Sequence, residues 1–307
     1  MRIIFMGTPE FAVPSLEILL QHHDVVAVVT QPDKPKGRGK KMAFSAVKEK
    51  ALQSDIEVLQ PAKVREKEFI EKLKTYNAEL IAVTAFGQIL PEEILNMPKY
   101  GCINVHGSLL PKYRGAAPLQ WSIINGEKET GVTTMYMAKG MDTGDMLLKQ
   151  SIAVSQQDTY GSIHDKLSVI GANILLKTIE GLENGTLQRI PQKEQEATYA
   201  PMITKETGHI DWSKKCDEII CLIHGLDPAP TAYTIYNGEV LKIWQAEKIE
   251  QTASKIGEVT AVTKKGFVVT AGDGSIVVTE VQAKGKKRMG ADAYLRGHNI
   301  EIGTILI

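Results

Sequence analysis

Only three cysteines occur in 307 residues: Cys102, Cys216 and Cys221. An odd count excludes a fully paired disulfide framework, and no CxxC pair marks a zinc site. Cys216 and Cys221 fall in a stretch that reads as helix, where two small apolar side chains suit a buried face. The count fits a reducing compartment. No apolar run approaches the roughly 18 residues of a membrane span. The opening MRIIFMGTPEF is an apolar strand pattern that breaks at Gly7 and Pro9, too short for a signal segment, so a cytoplasmic location is expected. An excess of one charge is missing too, with 36 basic and 36 acidic residues. Bulk attraction for polyanions is thereby excluded, and any nucleic-acid contact must come from local basic patches. Internal repeats are absent.

What is present is ordinary globular chemistry, 43% hydrophobic and 23% charged, in a chain long enough for two cores. The first half alternates short β-branched runs with helical patterns. Strands are expected at Arg2–Met6, Val25–Thr30, Glu57–Leu59, Leu80–Thr84, Gly101–Val105 and Val132–Met137. Helices are expected at Val13–Gln21, Ala43–Ser54, Glu66–Tyr76 and Pro118–Asn125. LIAVT at Leu80–Thr84 is apolar nearly throughout, as strands buried on both faces are. The rhythm predicts an α/β fold with a Rossmann-like, doubly wound, mostly parallel sheet.

A long helix at Ser162–Glu183 is followed by polar, poorly periodic chain with the composition of a linker. Beyond it, a short helix at Cys216–His224 precedes five or six short strands. Turns at Tyr236–Glu239 and Ala271–Gly274 read as hairpins requiring positive φ. A small OB-like β-barrel is expected. The resulting division is a catalytic domain over 1–188, a linker over 189–208 and a β-barrel domain over 209–307.

Parallel α/β sheets hold ligands at the carboxyl ends of their strands. Asn104 and His106 lie two residues apart at such an end and project to the same side. A carboxamide and an imidazole there can bind one oxygen that gains negative charge. Asp142, in the glycine-flanked turn Gly140–Asp145, is expected at the same edge of the sheet. Its carboxylate would favour the charged imidazole. The adjacent pair His22 and His23 reads as solvated surface, since it has no further ligand at metal-binding spacing. The turn Gly7-Thr8-Pro9-Glu10 has proline where a dinucleotide fingerprint needs glycine.

The run Asn104-Val105-His106-Gly107-Ser108-Leu109-Leu110-Pro111, continuing to Lys112-Tyr113-Arg114-Gly115-Ala116-Ala117-Pro118, resembles the signature of enzymes that transfer formyl from 10-formyltetrahydrofolate. GVTTMYMAKGMDTGDML resembles their second signature. The resemblance implies a catalytic trio of Asn104, His106 and Asp142. It implies a folate site from Ser108, Leu109, Leu110 and Pro111 together with Phe86, Gly87, Gln88, Ile89 and Leu90. The co-substrate would be 10-formyltetrahydrofolate, and no step requires a metal.

Two features bear on the acceptor. Lys34, Lys36, Arg38, Lys40 and Lys41 against Asp33 give a local charge of +4 in a segment whose glycines and prolines exclude a helix. It is expected to be a mobile loop that can close on phosphates. It resembles the tRNA-contacting loop of tRNA-formylating members of the family. The second feature is the C-terminal domain. Residues 205–307 carry 13 basic and 13 acidic groups, yet Lys284, Lys286, Lys287 and Arg288 cluster within five positions. Lys286, Lys287 and Arg288 are candidate tRNA contacts. The expected acceptor is methionyl initiator tRNA, and the alternative is an amino-sugar nucleotide. A monomer without membrane association is expected.

Overall fold

Successive residues of a strand face opposite ways, so a strand covered on both sides is apolar throughout. The first strand behaves this way: Ile3 and Phe5 enter one core, Ile4 and Met6 another, and all four are fully buried. The computed structural model describes residues 1–36, 41–250 and 254–307.

In chain order the elements are β1 (Arg2–Gly7), α1 (Val13–His22), β2 (Asp24–Val29), β3 (Lys34–Lys36), β4 (Lys41–Ala43), α2 (Ala46–Gln53) and β5 (Val58–Leu59). Next come α3 (Lys67–Thr75), β6 (Leu80–Thr84), α4 (Glu92–Leu95), β7 (Cys102–His106), β8 (Arg114–Gly115), α5 (Pro118–Ile124), β9 (Glu129–Tyr136), β10 (Met146–Ala153) and α6 (Tyr160–Glu183). The chain continues through β11 (Tyr199–Ala200), α7 (Cys216–Gly225), β12 (Ala232–Tyr236), β13 (Glu239–Ile249), β14 (Val259–Val262) and β15 (Phe267–Ala271). It ends with β16 (Gly274–Ala283), β17 (Met289–Gly290) and α8 (Ala291–Leu295). Two compact units result. One comprises Met1–Gly115, Thr130–Ile152 and His164–Tyr199; the other comprises Ala116–Glu129, Ala153–Ile163 and Ala200–Ile307.

The first unit is mixed α/β around a seven-stranded sheet in the order β10-β9-β7-β6-β1-β2-β5. The strands from β7 to β5 are mutually parallel. Leu16 and Leu19 of α1 and Leu175 and Ile179 of α6 pack on one face, while Ile70 and Leu73 of α3 and Ile94 of α4 pack on the other. Each such side chain contributes about 1.5–3 kcal/mol on burial. Helix starts follow local chemistry: Pro14 lies in the first turn of α1, and Ser45 caps α2 by accepting from Lys48 N at 3.1 Å.

Three expectations need correcting here. Strand β9 runs antiparallel to β7, pairing Thr133 with His106 and Tyr136 with Ile103. The helix between them, α5, belongs to the second unit and packs there on α7. The flanks of the basic segment are not loop, because Lys34–Lys36 pairs antiparallel with Lys41–Ala43. His23 turns inward, and its Nε2 is buried without a partner among the described residues. Burial holds its imidazole below the ordinary histidine range.

The second unit carries a separate antiparallel sheet, β12-β13-β16-β15-β14, with β17 beside β16. Ile243, Phe267 and Val278 form a core with Trp212 and with Ile219 and Ile223 of α7. The Trp212 indole N–H is satisfied by Thr234 Oγ1 at 3.0 Å. A Cβ at Gly225 would lie 2.5 Å from Ile124 Cγ1, so glycine is what lets α7 approach α5.

The turn at Tyr236–Glu239 has positive φ at Asn237 (50°) and Gly238 (75°), as its sequence demands. At Ala271–Gly274 the expected positive φ is not found. Gly272 serves close approach instead: a Cβ would lie 2.1 Å from the Ser213 carbonyl oxygen, and Gly272 N donates to Lys214 O at 2.8 Å.

Candidate active site

Val105 joins the core beneath α6, so its neighbours Asn104 and His106 face the other side of the sheet, where Cys102 lies. His106 is 6% exposed. Its Nε2 lies 2.9 Å from the Tyr113 carbonyl oxygen, which can only accept, so that nitrogen carries a hydrogen. Its Nδ1 faces Asp142 Oδ2 at 3.6 Å. Asn104 is half-buried, and its amide has no hydrogen-bond partner among the described residues. In this arrangement the Asn104 amide is free to meet a ligand oxygen, whereas the Nε2 hydrogen of His106 is engaged by Tyr113.

Asp142 reaches His106 by an unexpected route. Because β9 is antiparallel, Met137 N bonds Cys102 O at 2.8 Å, and the following loop therefore starts at the amino end of β7. It folds back along the strand to bring Asp142 to the carboxyl end. Asp142 takes φ 52° to do so. Gly144 is pressed so close to β9 that a Cβ would lie 1.8 Å from Tyr136 O.

Several contacts fasten this loop. Gly115 N donates to Asp142 Oδ2 at 2.8 Å. Gln192 Nε2 donates to the carbonyls of Asp142 and Gly144 at 2.7 and 2.8 Å. Arg189 Nε pairs with Asp145 Oδ2 at 2.9 Å, with its guanidinium 4.2 Å from the Tyr136 ring centre. Met146 and Ile190 exchange two backbone bonds of 2.9 Å. Behind Gln192 stands Arg114, 1% exposed, which donates from Nε to Gln192 Oε1 at 3.1 Å and from Nη1 to Glu194 Oε2 at 2.8 Å. Sequence reasoning missed Arg114 and Gln192. Arg114 stood inside the quoted motif, but Gln192 had no signal within a polar stretch.

The residues expected at a folate site occupy two loops of the same unit. Ser108 is buried, with Oγ donating to Lys112 O at 2.6 Å. Leu110 is buried, its N–H donates to Thr133 Oγ1 at 3.2 Å, and its carbonyl accepts from Lys149 Nζ. Leu109 is half-buried and Pro111 buried. After β6, Phe86 and Leu90 enter the core with Ile94 and Met6. The Phe86 carbonyl accepts from Thr8 Oγ1 and Gln31 Nε2 at 3.1 and 3.2 Å. Gln88 Oε1 accepts from Val64 N at 3.0 Å. Gly87 takes φ 87°, and Ile89 presents its side chain outward at 80% exposure. Backbone of Gly87 and the Ile89 side chain are what this loop offers a ligand.

Of the basic candidates, Lys34 is exposed on β3. Lys36 and Lys41 are placed by their backbone pairing alone, and Arg38 and Lys40 lie outside the described residues. Lys286 and Lys287 are exposed. Lys284 pairs with Glu239 at 3.3 Å. Arg288 pairs with Glu280 and, at 3.5 Å, with Asp227, while its guanidinium lies 4.6 Å from the Trp244 ring centre. Its charge is thus committed within its own unit. Among the described residues, no cluster of His, Cys, Asp or Glu could hold a metal ion, and no helix is long and apolar enough to cross a membrane.

Comparison with known proteins gives this geometry a family. The formyl transferase family matches residues 1–179, and the formyl transferase C-terminal domain matches residues 202–299. The chain belongs to the formyl transferase family. Within it, the chain is 56% identical over its whole length to the methionyl-tRNA formyltransferase of Caldanaerobacter subterraneus subsp. tengcongensis, of which it covers 100%. It is 50% identical, again with full coverage of both chains, to the methionyl-tRNA formyltransferase of Clostridioides difficile.

Solved structures share the fold at lower identity. An N-formyltransferase from Helicobacter canadensis, in complex with folinic acid and dTDP-3-aminofucose, aligns with a TM-score of 0.67 at 22% identity, over 92% of this chain and 99% of that one. HypX from Aquifex aeolicus, in complex with tetrahydrofolic acid, aligns with a TM-score of 0.64 at 19% identity. That match covers 99% of this chain but only 50% of HypX.

Proposed function

We propose that this chain transfers the formyl group of 10-formyltetrahydrofolate to the α-amine of methionyl initiator tRNA, in the cytoplasm and as a monomer. The observation that carries the reading is full-length identity of 56% to a methionyl-tRNA formyltransferase. A carboxylate facing a buried imidazole beside a free carboxamide supports it.

The folate supplies an activated formyl carbon. Asn104 donates to the formyl oxygen as the amine attacks and the tetrahedral intermediate forms. His106, turning from the Tyr113 carbonyl, donates to the same oxygen. Donors aimed at a developing oxyanion are worth about a hundred- to a thousandfold each. Asp142 stabilises the imidazolium and helps accept the proton leaving the amine. Collapse of the intermediate then breaks the bond between the formyl carbon and the folate nitrogen, which takes up that proton and leaves as tetrahydrofolate. Ser108–Pro111 and Phe86–Leu90 would line the folate site; the backbone at Gly87 could bond the polar edge of a flat heterocycle and the outward side chain of Ile89 could lie against its face.

Lys34, Lys36, Arg38, Lys40 and Lys41 would clamp tRNA phosphates. The C-terminal sheet, read as an OB-like barrel following a 189–208 linker, would add Lys286, Lys287 and Arg288.

The test is a transfer assay with 10-formyltetrahydrofolate and charged initiator tRNA. Rapid formylation of the tRNA supports the reading. Formylation of an amino-sugar nucleotide with the tRNA left untouched would replace the acceptor and keep the chemistry.

A further inference from the structure

The Asp142 loop is held in place by a segment whose composition reads as linker. We propose that Gln192 is a positioning residue for Asp142, fixed in turn by Arg114. The inference rests on Asp142 belonging to the reaction centre, as read above.

The loop has two reasons to leave its place. It folds back along β7 from the wrong end of the strand, and Asp142 adopts a left-handed backbone conformation that a Cβ disfavours. Neither is relieved by its own residues. The Gln192 amide spends both hydrogens on the two carbonyls that bracket Thr143, at 2.7 and 2.8 Å. Its oxygen accepts from Arg114 Nε at 3.1 Å. Two donors and an acceptor on one planar group are what a primary amide offers, and no other side chain of this length offers them.

Arg114 cannot drift, being buried, ion-paired to Glu194 at 2.8 Å and bonded through its own N–H to Thr198 O at 2.8 Å. The next residue, Gly115, supplies the amide that holds Asp142 Oδ2. Both grips on Asp142, at its carbonyl and at its carboxylate, therefore trace to the Arg114–Gly115 step. The hydrogen bonds of Gln192 go to the loop backbone and to Arg114 and to none of the three reacting side chains, so its effect passes through the placement of Asp142.

The experiment is a double-mutant cycle in the full chain, with steady-state formylation of methionyl-tRNA as the readout. Gln192→Glu keeps the shape but sets a carboxylate against two carbonyls; Gln192→Ala removes the group. Each is expected to lower kcat by about a hundredfold, as small misplacements of catalytic groups do, with KM for either substrate within about twofold. In an Asp142→Asn background the same substitutions should cost almost nothing further.

Equal losses in both backgrounds, or a rise in KM at constant kcat, would overturn the proposal. Undiminished turnover of Asp142→Asn alone has a different signature and would overturn the assignment of Asp142 on which the proposal stands. If Gln192→Ala fails to fold, the isosteric glutamate variant carries the test, checked by far-UV circular dichroism.

Discussion

Asp142 presents Oδ2 to His106 Nδ1 at 3.6 Å while the same oxygen accepts from Gly115 N. Asp142→Asn keeps an acceptor for that amide but removes the charge facing the imidazole. The expected result is a fall in kcat of about a hundredfold or more at unchanged thermal midpoint. Turnover and melting curves of the same preparation check it.

Asn104 separates catalysis from stability more sharply. Its amide has no protein partner among the described residues, so Asn104→Ala breaks no internal hydrogen bond. Turnover should fall about a hundred- to a thousandfold. By contrast, Leu80→Ala, at a fully buried position of β6, should cost about 2–5 kcal/mol in denaturant unfolding.

Gly144 tests the back-folded loop. A Cβ there would lie 1.8 Å from Tyr136 O, so Gly144→Ala must displace either the loop or β9. We expect most activity to disappear. Gly185→Ala is the control: its Cβ would meet nothing within 4 Å, and only φ 65° is strained. About 1–2 kcal/mol of stability should go there, with turnover kept.

Phosphate binding reveals itself through salt. Replacing Lys34, Lys36, Arg38, Lys40 and Lys41 with alanine should weaken tRNA binding and flatten the slope of log affinity against log salt, by roughly 0.7–0.9 for each phosphate no longer neutralised. Fluorescence anisotropy across a salt series measures it. Lys286→Ala with Lys287→Ala should act in the same direction. Arg288→Ala should appear first as reduced stability, because Glu280 and Asp227 would be deprived of their partner.

His224 sets an acid dependence. Burial pulls its imidazole below the ordinary value, against a smaller opposing pull from Asp227. In the unfolded chain the same group takes up a proton near its usual value of about 6.5. Between that value and the lower folded one, the unfolded state binds more protons, so stability present above about pH 6.5 is lost as the pH falls. His224→Gln should show a shallower drop in unfolding midpoint between about pH 7.5 and 5.5.

Much of the fold was legible for physical reasons. Leu80–Val83 had to be doubly covered because nothing polar interrupts it, and the Tyr236–Glu239 turn had to take positive φ because Asn-Gly permits it. Asn104 and His106 could be paired from sequence because both lie in one strand, where spacing fixes direction. Asp142 was placed at the right edge of the sheet, beside His106, but the path of its loop was not legible. Hydrophobic patterning marks β9 as a strand without giving its direction, and direction decides which end its loop leaves from. Gln192 was invisible because one amide among polar neighbours carries no periodic signal. The glycine at 272 was noticed for the wrong property: conformational freedom was assumed where missing volume was needed.

The bonds made by Arg189, Gln192, Glu194 and Thr198 bear on how this chain can be cut. A fragment ending at the last residue of α6, Glu183, would retain Asn104, His106 and Asp142 yet lack every donor and acceptor that the following stretch lends to their surroundings. Dissection at the helix end would yield a polypeptide with its chemistry intact in composition and unfastened in space. The smallest piece that keeps those bonds has to run through Thr198.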